Sequence, residues 1–115
     1  MASISMMVPV MEGKVSHLRK FGKEVAEEQK HHHHRTRKKH GYTREKAWLH
    51  EVPGGHVLVV YLEADNMQDA MEAFMTSTDP HDVWLRQNLL EGVGHDPAHG
   101  VPKGAVGEVI LDFEA

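Results

Sequence analysis

Ile4, Met6 and Val8 alternate with Ser3, Ser5 and Met7, the period-two pattern of a strand. Pro9 cannot donate a ladder hydrogen bond, so this strand is expected to end near Val8. From Lys14 the period lengthens. Val15, Leu18, Phe21 or Gly22, and Val25 recur at helical spacing and supply a face able to pack on a sheet. Beyond Ala26 the apolar stripe stops, yet Glu24, Glu27 and Glu28 precede Arg35, Arg37, Lys38 and Lys39 in the order that suits a helix macrodipole, and Gly41 is a natural left-handed stop. A continuous helix from Lys14 to Lys39 measures roughly 39 Å, about twice a typical strand, so its second half is expected to overhang the sheet.

A hairpin follows, Arg44 to Val52 and His56 to Glu63, turning at Pro53-Gly54-Gly55. Val57 to Leu62 is apolar without a break, as in a central strand covered on both faces. Lys46 to Glu51 mixes polar and apolar residues like an edge strand. Asp65 or Asn66 can cap a helix carrying Met67, Ala70, Met71 and Phe74 at i, i+3, i+4, i+7. Thr78 or Asp79, with Pro80 at the first helical position, starts another whose apolar side holds Val83, Trp84, Leu89 and Leu90. Gly92 to Gly104 reads as a long loop, and Val106 to Phe113 as a last strand with Val109, Leu111 and Phe113 on one side and Glu108, Ile110 and Asp112 on the other.

The order is therefore βαββαβ, a single α+β domain over residues 1–115. With the first and third strands central, the antiparallel sheet order is 4-1-3-2, the ferredoxin-like sandwich. Unbroken apolarity in the inner strands leaves one sheet face that the chain's own helices do not cover, which predicts a dimer.

Composition narrows the chemistry mainly by exclusion. The chain has no cysteine, which removes disulfides, thiolate nucleophiles and Cys-based metal centres, and fits a cytoplasmic protein. A net charge of -4 with neutral histidines argues against nucleic acid and anionic membrane as partners. No window reaches the ~18 apolar residues of a membrane span, and the first eleven residues lack the marks of a secretory signal. Gly92-Val93-Gly94 follows a helix and lacks a third glycine, so it is no dinucleotide loop, and no Gly-x-Ser-x-Gly or phosphate loop is present. No cofactor is implied.

Eleven histidines invite attention to metals. On a helix, His31 and His34 share a side with Glu27 one turn earlier, a set that suits zinc, nickel or non-haem iron; the plainer reading is a solvated face. The run His31 to His34 lacks tag-like flanks and is read as native sequence. His95-Asp96-Pro97-Ala98-His99 offers two imidazoles and a carboxylate in a loop, where a turn stabilised by Asp96 and Pro97 is the plainer reading. Arg35, Arg37, Lys38, Lys39 and His40 are read as the cation-rich end of a helix.

A dispersed group carries the catalytic expectation. Trp48 and His50 share one face of the second strand, while His81, Asp82 and Trp84 occupy the first turn after Pro80 and Arg44 and Glu45 open the strand. If the two elements meet, the indoles wall an apolar pocket, Arg44, Trp48 and Trp84 contact the ligand, and His50, or His81 oriented by Asp82, serves as acid or base. The competing reading places the indoles in the core and the histidines idle at its rim.

Glu12-Gly13-Lys14 at the helix start, Gly41-Tyr42-Thr43-Arg44-Glu45 entering the second strand with Trp48 after it, and Ser77 to Trp84 resemble small uncharacterised bacterial members of the dimeric α+β barrel superfamily. The resemblance covers nearly the whole chain. It implies two ferredoxin-like sheets packed face to face in a homodimer. The superfamily hosts cofactor-independent monooxygenases, haem-degrading enzymes, lactone isomerases and ligand-sensing modules, and a fold shared so widely does not choose among them. The expected function is a homodimer binding a small, largely apolar molecule between sheet and helices. The alternatives are a cofactor-independent monooxygenase or isomerase acting on a small aromatic or lactone-type substrate, and a non-catalytic oligomerisation module.

Overall fold

The computed structural model describes residues 2–115 and has a three-stranded antiparallel sheet with four α-helices, an α+β arrangement compatible with the ferredoxin-like fold. In chain order the elements are β1 (Ala2–Pro9), α1 (Val15–Ala26), α2 (Lys30–His40), β2 (Tyr42–Val52), β3 (Gly55–Ala64), α3 (Met67–Thr76) and α4 (Pro80–Val93). A single 3-10 turn, Pro97–His99, follows. Among the described residues no helix is long and apolar enough to cross a membrane.

The sheet order is β1-β3-β2, so the apolar third strand is central as its composition demands. Register decides which residues face the helices. Ile4, Met6 and Val8 lie opposite Leu62, Val60 and Leu58, and on the other side of β3 the partners of those three residues are Glu45, Ala47 and Leu49. Leu62 and Ala64 join Tyr42, Ala70, Phe74 and Leu85 in the buried core, so this is the covered face. Side chains alternate along a strand, and the opposite face therefore carries Ser5, Met7, Val57, Val59, Tyr61, Lys46, Trp48 and His50. Among the described residues no helix packs there. Met7 and Trp48 are exposed large apolar residues on it.

Two expectations need correction. The expected helix from Lys14 to Lys39 is two helices. Glu27 leaves helical geometry at φ -117 and ψ -87, and Gln29 N reaches back five residues to Glu24 O at 2.8 Å. The break falls where the apolar stripe ends. A straight rod would carry His33, Thr36, Arg37 and His40 past the sheet; the bent chain returns them to β2 and α4, and Thr36 is wholly buried. Gly41, at φ 95, then ends α2 with its N–H donating to Arg37 O and Lys38 O, the left-handed stop its position predicts.

The second correction concerns the last strand. Val106 to Phe113 is not a strand: it meets β1 only at one isolated antiparallel bridge, Met6 to Val106, with Met7 N donating to Ala105 O and Gly107 N to Ser5 O, and residues 108–115 then run on without regular structure. The four-stranded order 4-1-3-2 is accordingly three strands here. Continued from that bridge, an edge strand would turn Val109, Leu111 and Phe113 to the uncovered face of the sheet, where one chain offers nothing to bury them against.

The helices after the hairpin start where expected. Asn66 caps α3 by accepting from Asp69 N, and Asp79 caps α4 by accepting from His81 N, with Pro80 in the first turn. Gly92 lies where α1 crosses α4: a Cβ there would run into the Leu18 side chain, so only glycine permits this approach.

Candidate functional site

Helix α1 packs on α4 and α2 and stands off the covered face of the sheet, which leaves a partly open cavity of about 1040 Å³ beneath it. That volume is at the upper end of the ~300–1,000 Å³ of small-molecule sites. Its apolar wall is built from Leu18, Phe21 and Val25, the stripe the helical spacing predicts, together with Val60, Leu62 and Leu89. Glu45, His33 and Arg37 make one part of the lining polar.

That polar part is a connected network. Arg37 sits over the rings of Phe74 and Tyr42, 4.6 and 4.8 Å from their centroids, and its Nη2 and Nε donate to the two oxygens of Glu45 at 2.9 and 3.4 Å. His33 Nε2 bonds Glu45 Oε1, and His33 Nδ1 lies 3.0 Å from His81 Nε2. Burial acts to raise the Glu45 carboxyl, but the Arg37 charge and the His33 hydrogen bond outweigh it and hold it down at about 2. With Glu45 ionised, His33 donates to it from Nε2, and the buried Nδ1 of His81 is left without a partner.

Burial, followed by the neighbouring His33 charge, pushes His81 down to about 4, against the opposing pull of Asp82. A histidine whose folded value lies below its ordinary 6.5 is kept neutral by folding. The stability this contributes is complete above pH 6.5 and is lost as pH falls toward about 4, because the unfolded chain takes up the proton first. NMR titration of the imidazoles is expected to show His81 protonating near 4, more than two units below an ordinary histidine. A value near 6.5 would show that the ring is not sequestered.

Beside this network stands a second buried pair. Asp82, wholly buried, accepts from His40 Nε2 at 2.7 Å and from Ser77 Oγ at 2.6 Å. Arg86 donates to Phe74 O and Ser77 O, both at 2.7 Å, tying the end of α3 to α4. At the surface Arg35 pairs with Asp79 through two hydrogen bonds of 2.8 and 3.2 Å, and this contact first, then the His81 backbone N–H, holds the Asp79 carboxyl down at about 2.

The group expected from sequence is split by the sheet. Trp48 and His50 lie opposite Val59 and Val57, on the uncovered face, with Lys46 Nζ 5.2 Å from the Trp48 ring centroid. Arg44, opposite Glu63, shares that face. His81, Asp82 and Trp84 lie on the helix side, where Trp84 stacks against Phe21 at 5.3 Å and His81 at 5.6 Å. Asp82 orients His40 and not His81. One residue of register separates Glu45, which reaches the network, from Arg44 and Lys46, which do not.

Of the metal candidates, Glu27, His31 and His34 border one shallow surface pocket, and the loop set is engaged within its own turn. Glu27 sits at the break between α1 and α2, His31 and His34 are exposed, His95 Nε2 bonds Gly100 O at 2.6 Å, and Asp96 caps the 3-10 turn that contains His99. Among the described residues no group of three or more His, Cys, Asp or Glu side chains is placed to hold an ion.

His33, Arg37 and His40 are the residues that sequence reasoning passed over. They sat inside a solvated-looking histidine run and a cation-rich helix end, whereas Glu45 was named with Arg44 at the strand entry without a role. A signal was present: His33, Thr36, Arg37 and His40 fall at i, i+3, i+4, i+7, the spacing of a buried helix face written in polar residues. Comparison with protein-family models, with curated proteins and with solved structures gives no match for this chain.

Proposed function

We propose that this protein is one half of a homodimeric α+β barrel and binds a small, largely apolar molecule between its sheet and its helices. The cavity under α1 carries the reading: it is large, mostly apolar, and bounded at one place by a few fixed polar groups, the composition of a ligand site and not of a packed core. The dimer has separate support. One sheet face lacks a layer of helices, and residues 108–115 extend from the edge of the sheet with Val109, Ile110, Leu111 and Phe113 exposed. A fourth strand completed between two copies would satisfy both. We propose binding and not turnover, because His50 lies across the sheet from the cavity and both nitrogens of His33 are already engaged.

Titration with the neutral fluorescent probe N-phenylnaphthylamine tests the cavity. Saturable binding of one probe per protomer is expected. Ala47→Trp, which puts an indole into the lining opposite Val60, should weaken it about tenfold or more with the circular dichroism spectrum unchanged. Probe binding indifferent to Ala47→Trp would show that the cavity is not the site.

A further inference from the structure

We infer that the molecule taken up by this cavity is an organic anion, an apolar body ending in a carboxylate that is received by Arg37. The inference rests on the cavity reading above and adds the chemistry of the ligand's polar end. Acidic residues outnumber basic ones over the whole chain, 17 against 13, yet the cavity lining reverses the balance. Arg19, Lys30, Arg37 and Lys38 contribute to it from α1 and α2, with His33 and His34 among them, and Glu45 is the one acid. Arg44 and Lys46 also border it but are left out of this balance, since their side chains belong to the other face of the sheet.

Glu45 does not exhaust these cations. Its two oxygens take Nη2 and Nε of Arg37 and Nε2 of His33, which leaves Arg37 Nη1 unused. Among the described residues four buried side-chain atoms lack a hydrogen-bond partner, on His17, Arg37, His81 and Asp82, and Arg37 alone of these lines the cavity. A guanidinium N–H shielded from water and without an acceptor is costly, and a ligand oxygen that displaces the groups covering it relieves that cost. The aromatic rings of Tyr42 and Phe74 hold the guanidinium in place, so little side-chain freedom is lost when the acceptor arrives. Lys30 and Lys38, exposed on α2, add a positive field at the approach. The apolar wall of Leu18, Phe21, Val25, Val60 and Leu62 sets the other half of the requirement, a hydrocarbon or aromatic body.

A matched acid and alcohol separate this inference from the reading on which it rests. Octanoate and octanol present the same chain with and without the charge, and calorimetric titration of the wild-type protein at neutral pH is expected to give octanoate about tenfold tighter binding. Arg37→Met should erase that preference and keep octanol binding. Because Arg37 also holds Glu45, the double variant Lys30→Gln, Lys38→Gln serves as the second arm. It leaves the network intact and should weaken octanoate severalfold without changing octanol. Equal binding of acid and alcohol by the wild-type protein overturns the anion inference and leaves the cavity reading standing. Failure of both probes to bind overturns the two together.

Discussion

Ending the chain at Gly107 is expected to turn a dimer into a monomer. Light scattering of the full chain should give twice 13.0 kDa, and of the shortened chain a single subunit, somewhat below 13.0 kDa. The size of the effect follows from what the removed segment carries. Val109, Ile110, Leu111 and Phe113 are 73, 91, 80 and 81 % exposed, and burying each such side chain is worth about 1.5–3 kcal/mol. Two segments exchanged across a two-fold axis count this twice, enough to offset the several kcal/mol lost in association. Charge favours a particular landing place: the segment bears Glu108, Asp112 and Glu114, while the outer strand β2, whose far edge has no neighbour, turns Arg44, Lys46 and His50 to the uncovered face. A full-length chain that scatters as 13.0 kDa at micromolar concentration would refute the pairing.

Asp82→Ala should be the most damaging single substitution to stability, lowering it by about 3–5 kcal/mol in urea denaturation. Asp82 is wholly buried and joins α4 to α2 through His40, whose side chain is 6 % exposed, and to the α3–α4 connection through Ser77. Deleting the carboxylate strands both donors in a dry place and opens a cavity. Asp82→Asn keeps the volume and one acceptor and should cost less than half as much. A loss below about 1 kcal/mol for Asp82→Ala would mean that water reaches the site and that the pair does not hold α2 to α4.

The strand and helix pattern was legible because burial imposes a period. The alternation of β1, the unbroken run of β3 and the caps at Asn66 and Asp79 all appear in the structure where the residues place them. What failed depended on information that is not local. Nothing in the run from Glu27 to Gln29 resembles a helix breaker; the break pays for itself through contacts that α2 makes with β2 and α4, far along the chain. The fourth strand has the right alternation, but continued from the bridge at Val106 its apolar side would fall on the bare face of the sheet. The expected meeting of His50 with His81 and Asp82 failed for a simpler reason. Trp48 and His50 were correctly grouped with each other, but whether that group looks toward the helices is fixed by pairing register, and β2 carries an irregularity between Tyr42 and Arg44 that resets it. The network residues were hidden because polar side chains at helical spacing look like a wet surface until their partners, Glu45, His81 and Asp82, are brought opposite them.

The close crossing at Gly92 has a further consequence for how the chamber can breathe. With Leu18 seated directly on the α4 backbone, the early part of α1 is clamped, while its far end stops at the irregular turn before Lys30. On the proposed binding, a bulkier guest would be accommodated by swinging that distal end, with Leu18 as the fulcrum. A methyl group added at position 92 would meet the Leu18 side chain and push the clamp apart.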